Sequence, residues 1–261
     1  MSTENLRMEI KIKNIITTLI LTGFALNSFA QLSTIEDKRI VKKFIQLIKT
    51  QQITKLAMQV NYPLKREFPI PSINNKQEFI KRYPEIFDDN LKNIITNSDP
   101  VKDWSKVGWR GIMLLDGTLW LDEKLISVNY QSLKERRLKE KLIVEDKSRL
   151  YISLRDYSKP ILYMQTTKFK IRIDELENGK YRYASWSIQS NMKNKPDLII
   201  TNGSWVPDGS GDNHYYRFTS GAYQYDCYVS TLNQDGKPSA ELQVRKGTKN
   251  ILKQKSVLLK N

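Results

Sequence analysis

The sequence predicts an α+β protein, with helices packed on a curved antiparallel sheet in the N-terminal half and a mainly antiparallel β-sandwich or small barrel after it. Three observations carry that expectation. Apolar residues repeat at helical spacing in the first hundred residues. The stretch Trp104–Tyr130, WSKVGWRGIMLLDGTLWLDEKLISVNY, joins dense aromatic and aliphatic content to two tight-turn signals. Beyond residue 149, short apolar or alternating runs recur between glycine-containing turns.

The first 30 residues read as an export leader. With a start at Met1 or Met8, Lys11 and Lys13 form the basic region, Ile15 to Leu26 the apolar run, and Ser28-Phe29-Ala30 a small-x-small cleavage site, so the mature chain is expected to begin at Gln31. The apolar run is shorter than the ~20 residues a membrane-spanning helix needs, and no cysteine follows the cleavage site for lipidation. The reading is a periplasmic or secreted product with no transmembrane segment in the mature chain.

From residue 31 to 132 the elements follow in order. Ser33 and Glu36 have capping-box spacing ahead of a helical stripe of Val41, Phe44, Ile45 and Ile48. A shorter helix covers Ile53 to Val60, and Pro69 and Pro71 make Leu64 to Ile73 extended but unfit for a central strand. Asn74 or Asn75 caps a helix containing Phe79, Ile80 and Tyr83, which Pro84 should break or kink before Ile86, Phe87, Leu91, Ile94 and Ile95. Val107 to Leu115 then reads as a covered strand, Asp116-Gly117 as a two-residue turn, Thr118 to Leu121 as its return, and Leu125 to Tyr130 as a third strand.

Residues 133–148 are densely charged and read as a solvated helix or a linker. In the β-rich part, 149–261, strands are expected at Leu150–Leu154, Ile161–Gln165, Phe169–Ile173, Tyr181–Ile188, Leu198–Thr201, Tyr215–Phe218, Tyr223–Leu232 and Ala240–Lys246. Turns fall at Asn178-Gly179, Thr219-Ser220-Gly221 and Gln234-Asp235-Gly236, and the tail ILKQKSVLL adds a last strand.

The order helix-helix-extended-helix, Tyr62-Pro63 with Phe79-Ile80, and GWRGIMLLDGTLWLD followed by LISVNY together resemble the NTF2-like family of exported bacterial domains over residues 33–132. The resemblance implies a cone of helices on a curved sheet around a pocket. It sends Trp109, Met113, Trp120 and Asn129 toward that pocket and Tyr62 to its mouth. Aromatic and methionine side chains on strands also serve simply as core. No acid-base set of that family can be carried onto this chain.

Net charge is +15, from 43 Lys and Arg against 28 Asp and Glu, and the leader contributes only Arg7, Lys11 and Lys13 against Glu4 and Glu9. Such a field favours an anionic surface, but the lysines are spread along the chain, and export removes most nucleic-acid targets. Cys227 stands alone, so no intramolecular disulfide forms, and His214 is the only histidine, so zinc sites needing several His or Cys ligands are excluded. Asp208, Ser210 and Asp212 set oxygen ligands at alternate positions of a glycine loop, a weak calcium pattern: Asn213 and Thr219 stand where an EF-hand needs glycine and glutamate. With His214 they make a surface-loop candidate. No cofactor is expected. The function expected is an exported, non-enzymatic binding protein for a small molecule or an envelope protein. A small-molecule acid-base enzyme and an envelope inhibitor or immunity-type protein stand as alternatives.

Overall fold

A computed structural model describes residues 30–31, 34–209, 213–230 and 239–259. The first half is a short-stranded sheet with helices on one face. Helices α1 (Ile35–Lys49), α2 (Ile53–Ala57), α3 (Lys76–Ile86) and α4 (Asp89–Thr96) bury Val41, Phe44, Ile48, Phe79, Ile86, Leu91 and Ile95 in one core with Trp104, Ile112, Leu114, Leu119, Leu121, Leu125 and Val128. Each sits where the 3.6-residue period puts it. The first cap is Thr34, whose Oγ1 accepts from Asp37 N at 2.9 Å; Ser33 lies outside the described residues. Pro84 is tolerated in the last turn of α3, and the break comes three residues later, where Asp88 caps α4.

Strands β1 (Ala30–Gln31), β2 (Trp104–Lys106), β3 (Ile112–Leu114), β4 (Leu119–Asp122) and β5 (Lys124–Val128) pair in that order as an antiparallel meander. Val107 to Leu115 is not one strand. A 3-10 turn at Gly108–Arg110 interrupts it, and Gly111, at φ +99, lies so close to Leu121 O that a Cβ would stand 2.4 Å from it. Leu115 at φ 49 and Gly117 at φ 88 widen the next turn beyond two residues.

Helix α5 (Leu133–Ser148) follows, capped by Ser132 Oγ, which accepts from Glu135 N at 3.1 Å. It has almost no apolar stripe; its buried charges hold it. Glu135 and Asp146 are 11 residues apart, three turns, so they share one face about 16 Å from each other. Glu135, fully buried, is paired with Arg66, which also donates to Val128 O and, at 2.8 Å, to Tyr130 O. Asp146 meets Arg172 of the second half. One helix thus joins both halves through buried ion pairs.

The rest is a closed antiparallel barrel of eight strands: β6 (Lys159–Gln165), β7 (Phe169–Glu175), β8 (Tyr181–Ser187), β9 (Leu198–Pro207), β10 (His214–Ser220), β11 (Tyr223–Ser230), β12 (Ser239–Lys246) and β13 (Lys249–Leu258). Neighbours in sequence are neighbours in the wall, and β13 closes on β6 through Val257↔Gln165 and Leu258↔Met164. Period-two alternation turns Ile171, Ile173, Tyr183, Tyr216, Phe218, Cys227, Ala240, Leu242 and Val244 inward as one core. Gly203 pairs with Tyr181 and leaves room for the Phe218 ring, which would stand 2.1 Å from an added Cβ.

The outer face of β7 and β8 is covered as well. Leu150, Leu154, Tyr157, Ala184 and Trp186 form a second small core there, and the residues read as a strand at Leu150–Leu154 make a 3-10 turn at Ile152–Leu154 instead.

The expected fold class is therefore corrected. Of the two architectures expected for the larger half, sandwich or small barrel, it takes the barrel, closed by eight strands. The first-half sheet has strands of two to five residues.

Candidate functional site

The residues nominated from the first half line neither of the two cavities described below. Trp109 is 73% exposed on the 3-10 turn, with Arg110 5.8 Å from its ring. Met113 and Trp120 are paired across β3 and β4 on the sheet face away from the helices, in register with Ser105 and Ser127. Asn129 is exposed, its Nδ2 donating to Gly117 O at 2.8 Å and its Oδ1 accepting from Ser127 Oγ at 2.7 Å. Tyr62 is half-buried against Phe79 and donates to Ala57 O at 2.9 Å. Trp109 and Asn129 therefore face solvent. The positive-φ glycines around Trp109 make a turn, and a turn presents its side chain to solvent.

Of the loop candidates, Asp208 is exposed at the end of β9, its N–H donating to Asn213 O at 2.9 Å; Ser210 and Asp212 lie outside the described residues. His214 opens β10 with its ring 5.7 Å from Trp205 and 5.4 Å from Tyr216.

Two cavities stand out. One, of about 310 Å³, lies between α1 and the β4–β5 hairpin, and its rim carries Glu36, Arg39, Lys43, Glu123 and Lys124. The Glu36–Arg39 and Lys43–Gln59 contacts on it are solvent-exposed and satisfy one another.

The other, of about 260 Å³, opens at the end of the barrel where β7, β9 and β13 begin, and is lined by Phe169, Tyr183, Ser185, Asp197, Leu198, Tyr225, Leu242, Val244, Ile251 and Leu252. The inward phase of six strands places Phe169, Tyr183, Ser185, Leu198, Tyr225, Leu242, Val244 and Leu252 around one opening, with Asp197 and Ile251 at its rim. An eight-stranded barrel is wide enough for its own side chains or for one small ligand. Here the wall is apolar and aromatic, with Tyr183 5.6 Å from Tyr225 and 5.5 Å from Phe218. Asp197 is anchored at the rim, its Oδ2 accepting from Ser187 N at 2.7 Å and its own N–H donating to Ser185 O at 2.9 Å.

The tyrosines of this mouth are held protonated. Burial pushes the Tyr183 phenol far above its ordinary value, with Cys227 and Tyr225 adding to the shift against a Ser185 hydrogen bond, and burial likewise raises Tyr225. Burial also raises the thiol of Cys227, fully enclosed in the lumen. Such a group is a packing residue. Among the described residues no set of three or more His, Cys, Asp or Glu side chains is placed to hold a metal ion.

Tyrosine burial sets an alkaline limit. Burial pushes both Tyr62 and Tyr83 up to about 12, against roughly 10 in an unfolded chain. The folded state therefore favours the protonated phenol. Its contribution is complete below pH 10 and is lost as the pH rises through 12, because the unfolded chain releases its protons first. Urea midpoints should be flat from pH 7 to 9 and fall between pH 10 and 12, in step with tyrosinate absorbance on unfolding.

No protein-family model, no curated protein and no solved structure matches the chain. No helix among the described residues is long and apolar enough to cross a membrane.

The sequence reading missed the mouth because its lining is spread from Phe169 to Leu252. Each lining residue is an ordinary inward position of a strand. The available signal was register: Phe169, Ser185, Leu198, Tyr225 and Leu252 sit near one end of successive antiparallel strands, a coincidence visible only once the strands are laid side by side.

Proposed function

We propose that the chain is an exported, non-enzymatic binding protein that holds one small, mainly apolar ligand in the mouth of its barrel. The observation supporting this reading is the 260 Å³ cavity walled by Phe169, Tyr183, Leu198, Tyr225, Leu242, Val244 and Leu252 at one end of a closed eight-stranded barrel. Burial holds Tyr183 and Tyr225 of that mouth protonated, which favours binding over acid-base chemistry by these phenols. Export rests on the leader-like residues 1–30.

An uncharged probe separates lumen binding from attraction to the basic surface. Phenylnaphthylamine fluorescence should rise saturably with one site per chain and without salt dependence. Leu252→Trp, a half-exposed rim position, should fill the mouth and weaken binding at least tenfold while the circular dichroism spectrum is unchanged. Non-saturable uptake, or equal affinity in the variant, would rule the barrel mouth out.

A further inference from the structure

Below the mouth the lumen carries two polar atoms without a protein partner. Gln254 Oε1 and Ser256 Oγ are both buried and make no hydrogen bond among the described residues. They lie on β13 in the same phase as Leu252, which lines the cavity. Gln254 pairs in register with Leu242, another lining residue, and Ser256 with Ala240. Successive inward residues of an antiparallel strand are about 7 Å apart, so Gln254 is the next inward residue along β13 after the lining Leu252, and Ser256 the one after it. Ala240 opposite Ser256 is small.

A buried polar atom left unpaired is costly, and native interiors rarely keep one without a use. Two of them in file beneath an apolar cavity make a polar stripe in an otherwise greasy tube. The neighbouring inward residues, Val229, Ala240, Leu242 and Cys227, are uncharged. An ammonium or carboxylate placed there would be buried without a counter-ion. A hydroxyl fits, because it donates and accepts at once: it can meet the carboxamide of Gln254 in either of its two orientations and the Ser256 hydroxyl as well.

Resting on the barrel-mouth reading, we propose that the ligand is a neutral apolar molecule with one hydroxyl, entering hydroxyl first so that this group hydrogen-bonds Gln254 and Ser256 while its body fills the cavity under Phe169, Tyr225 and Leu252. The polar stripe sets ligand class and orientation; the apolar wall sets most of the affinity.

The test is displacement of phenylnaphthylamine from the full chain by decanol and by chlorodecane, which has a similar shape but a poor hydrogen-bonding end. The quantity read is the ratio of the two affinities, compared between proteins so that differences in aqueous solubility cancel. Loss of a neutral hydrogen bond in a buried site is expected to lower the decanol preference about tenfold in Gln254→Leu, with chlorodecane bound as well as before. Ser256→Ala, a change of one atom, should lower it in the same direction and decides the matter if Gln254→Leu does not fold. An unchanged ratio in the folded variants overturns the inference and leaves the cavity reading intact. Failure of both compounds to displace the probe overturns the two together.

Discussion

Replacing Arg172 by alanine is expected to lower the stability of the whole chain by about 3–5 kcal/mol, because it removes the guanidinium from the buried Asp174 and the partly buried Asp146. Arg172 is fully buried on the outer face of β7, and its Nη2 lies 2.7 Å from Asp146 Oδ2 and 2.6 Å from Asp174 Oδ1. The second contact is ionic, since Asp174 Oδ1 is off line for a hydrogen bond. Burial opposes the charge on Arg172, but Asp174 and Asp146 outweigh it and hold the guanidinium protonated. The rings of Tyr157 and Tyr163 flank it at 4.8 and 4.5 Å, and both phenols donate to Asp146. Asp174 keeps Arg182 at 2.8 Å, while Asp146 would keep only the two hydroxyls. A fall in Tm on the order of 10 °C should be seen by calorimetry. The enclosed Cys227 thiol offers a second readout: alkylation by a maleimide should quicken in proportion to opening. Asp146→Asn retains acceptors and should cost less than Asp146→Ala. Equal and small effects of all three substitutions would show that α5 is not held by this contact.

Gly203→Ala is expected to cost about 1–3 kcal/mol through overpacking, since the added carbon would stand 2.1 Å from the Phe218 ring. The ring is buried in the lumen against Tyr183, so it has little room to yield. The diagnostic is coupling. Phe218→Leu alone loses packing, but in combination with Gly203→Ala the urea midpoint should fall by less than the sum of the two single changes. Strict additivity would mean that the strand shifts instead of the ring.

Most of the barrel was legible strand by strand. Alternation marked β7, β8, β10 and β11 to within a few residues, and Asn178-Gly179 gave the turn between β7 and β8 through the positive φ of Gly179. Closure was not legible, because it depends on how the tail ILKQKSVLL meets Met164 and Gln165 more than 90 residues earlier. Helix α5 was ambiguous for a physical reason: its charges looked solvated, yet Glu135 and Asp146 are its docking points, and only their partners Arg66 and Arg172 reveal it. Trp109 drew attention as a large apolar group on an apparent strand. Gly108 and Gly111, one residue to its left and two to its right, were the sign of a turn.

The closure itself is uneven. Strands β11 and β12 pair along all eight residues of β11, whereas β13 meets β6 only at Val257 and Leu258, with Leu259 N adding one bond to Tyr163 O at 2.8 Å. Ahead of those residues β13 runs on toward the mouth with no strand on that side among the described residues, and Lys253 and Lys255 point outward along it. A wall fastened by so short a seam behaves as a hinged slat: it can swing outward by giving up a few hydrogen bonds while the other seven strands stay laced. The slat carries Leu252, which lines the mouth, with Gln254 and Ser256 further along it, so a swing at this seam would widen the opening sideways through the wall.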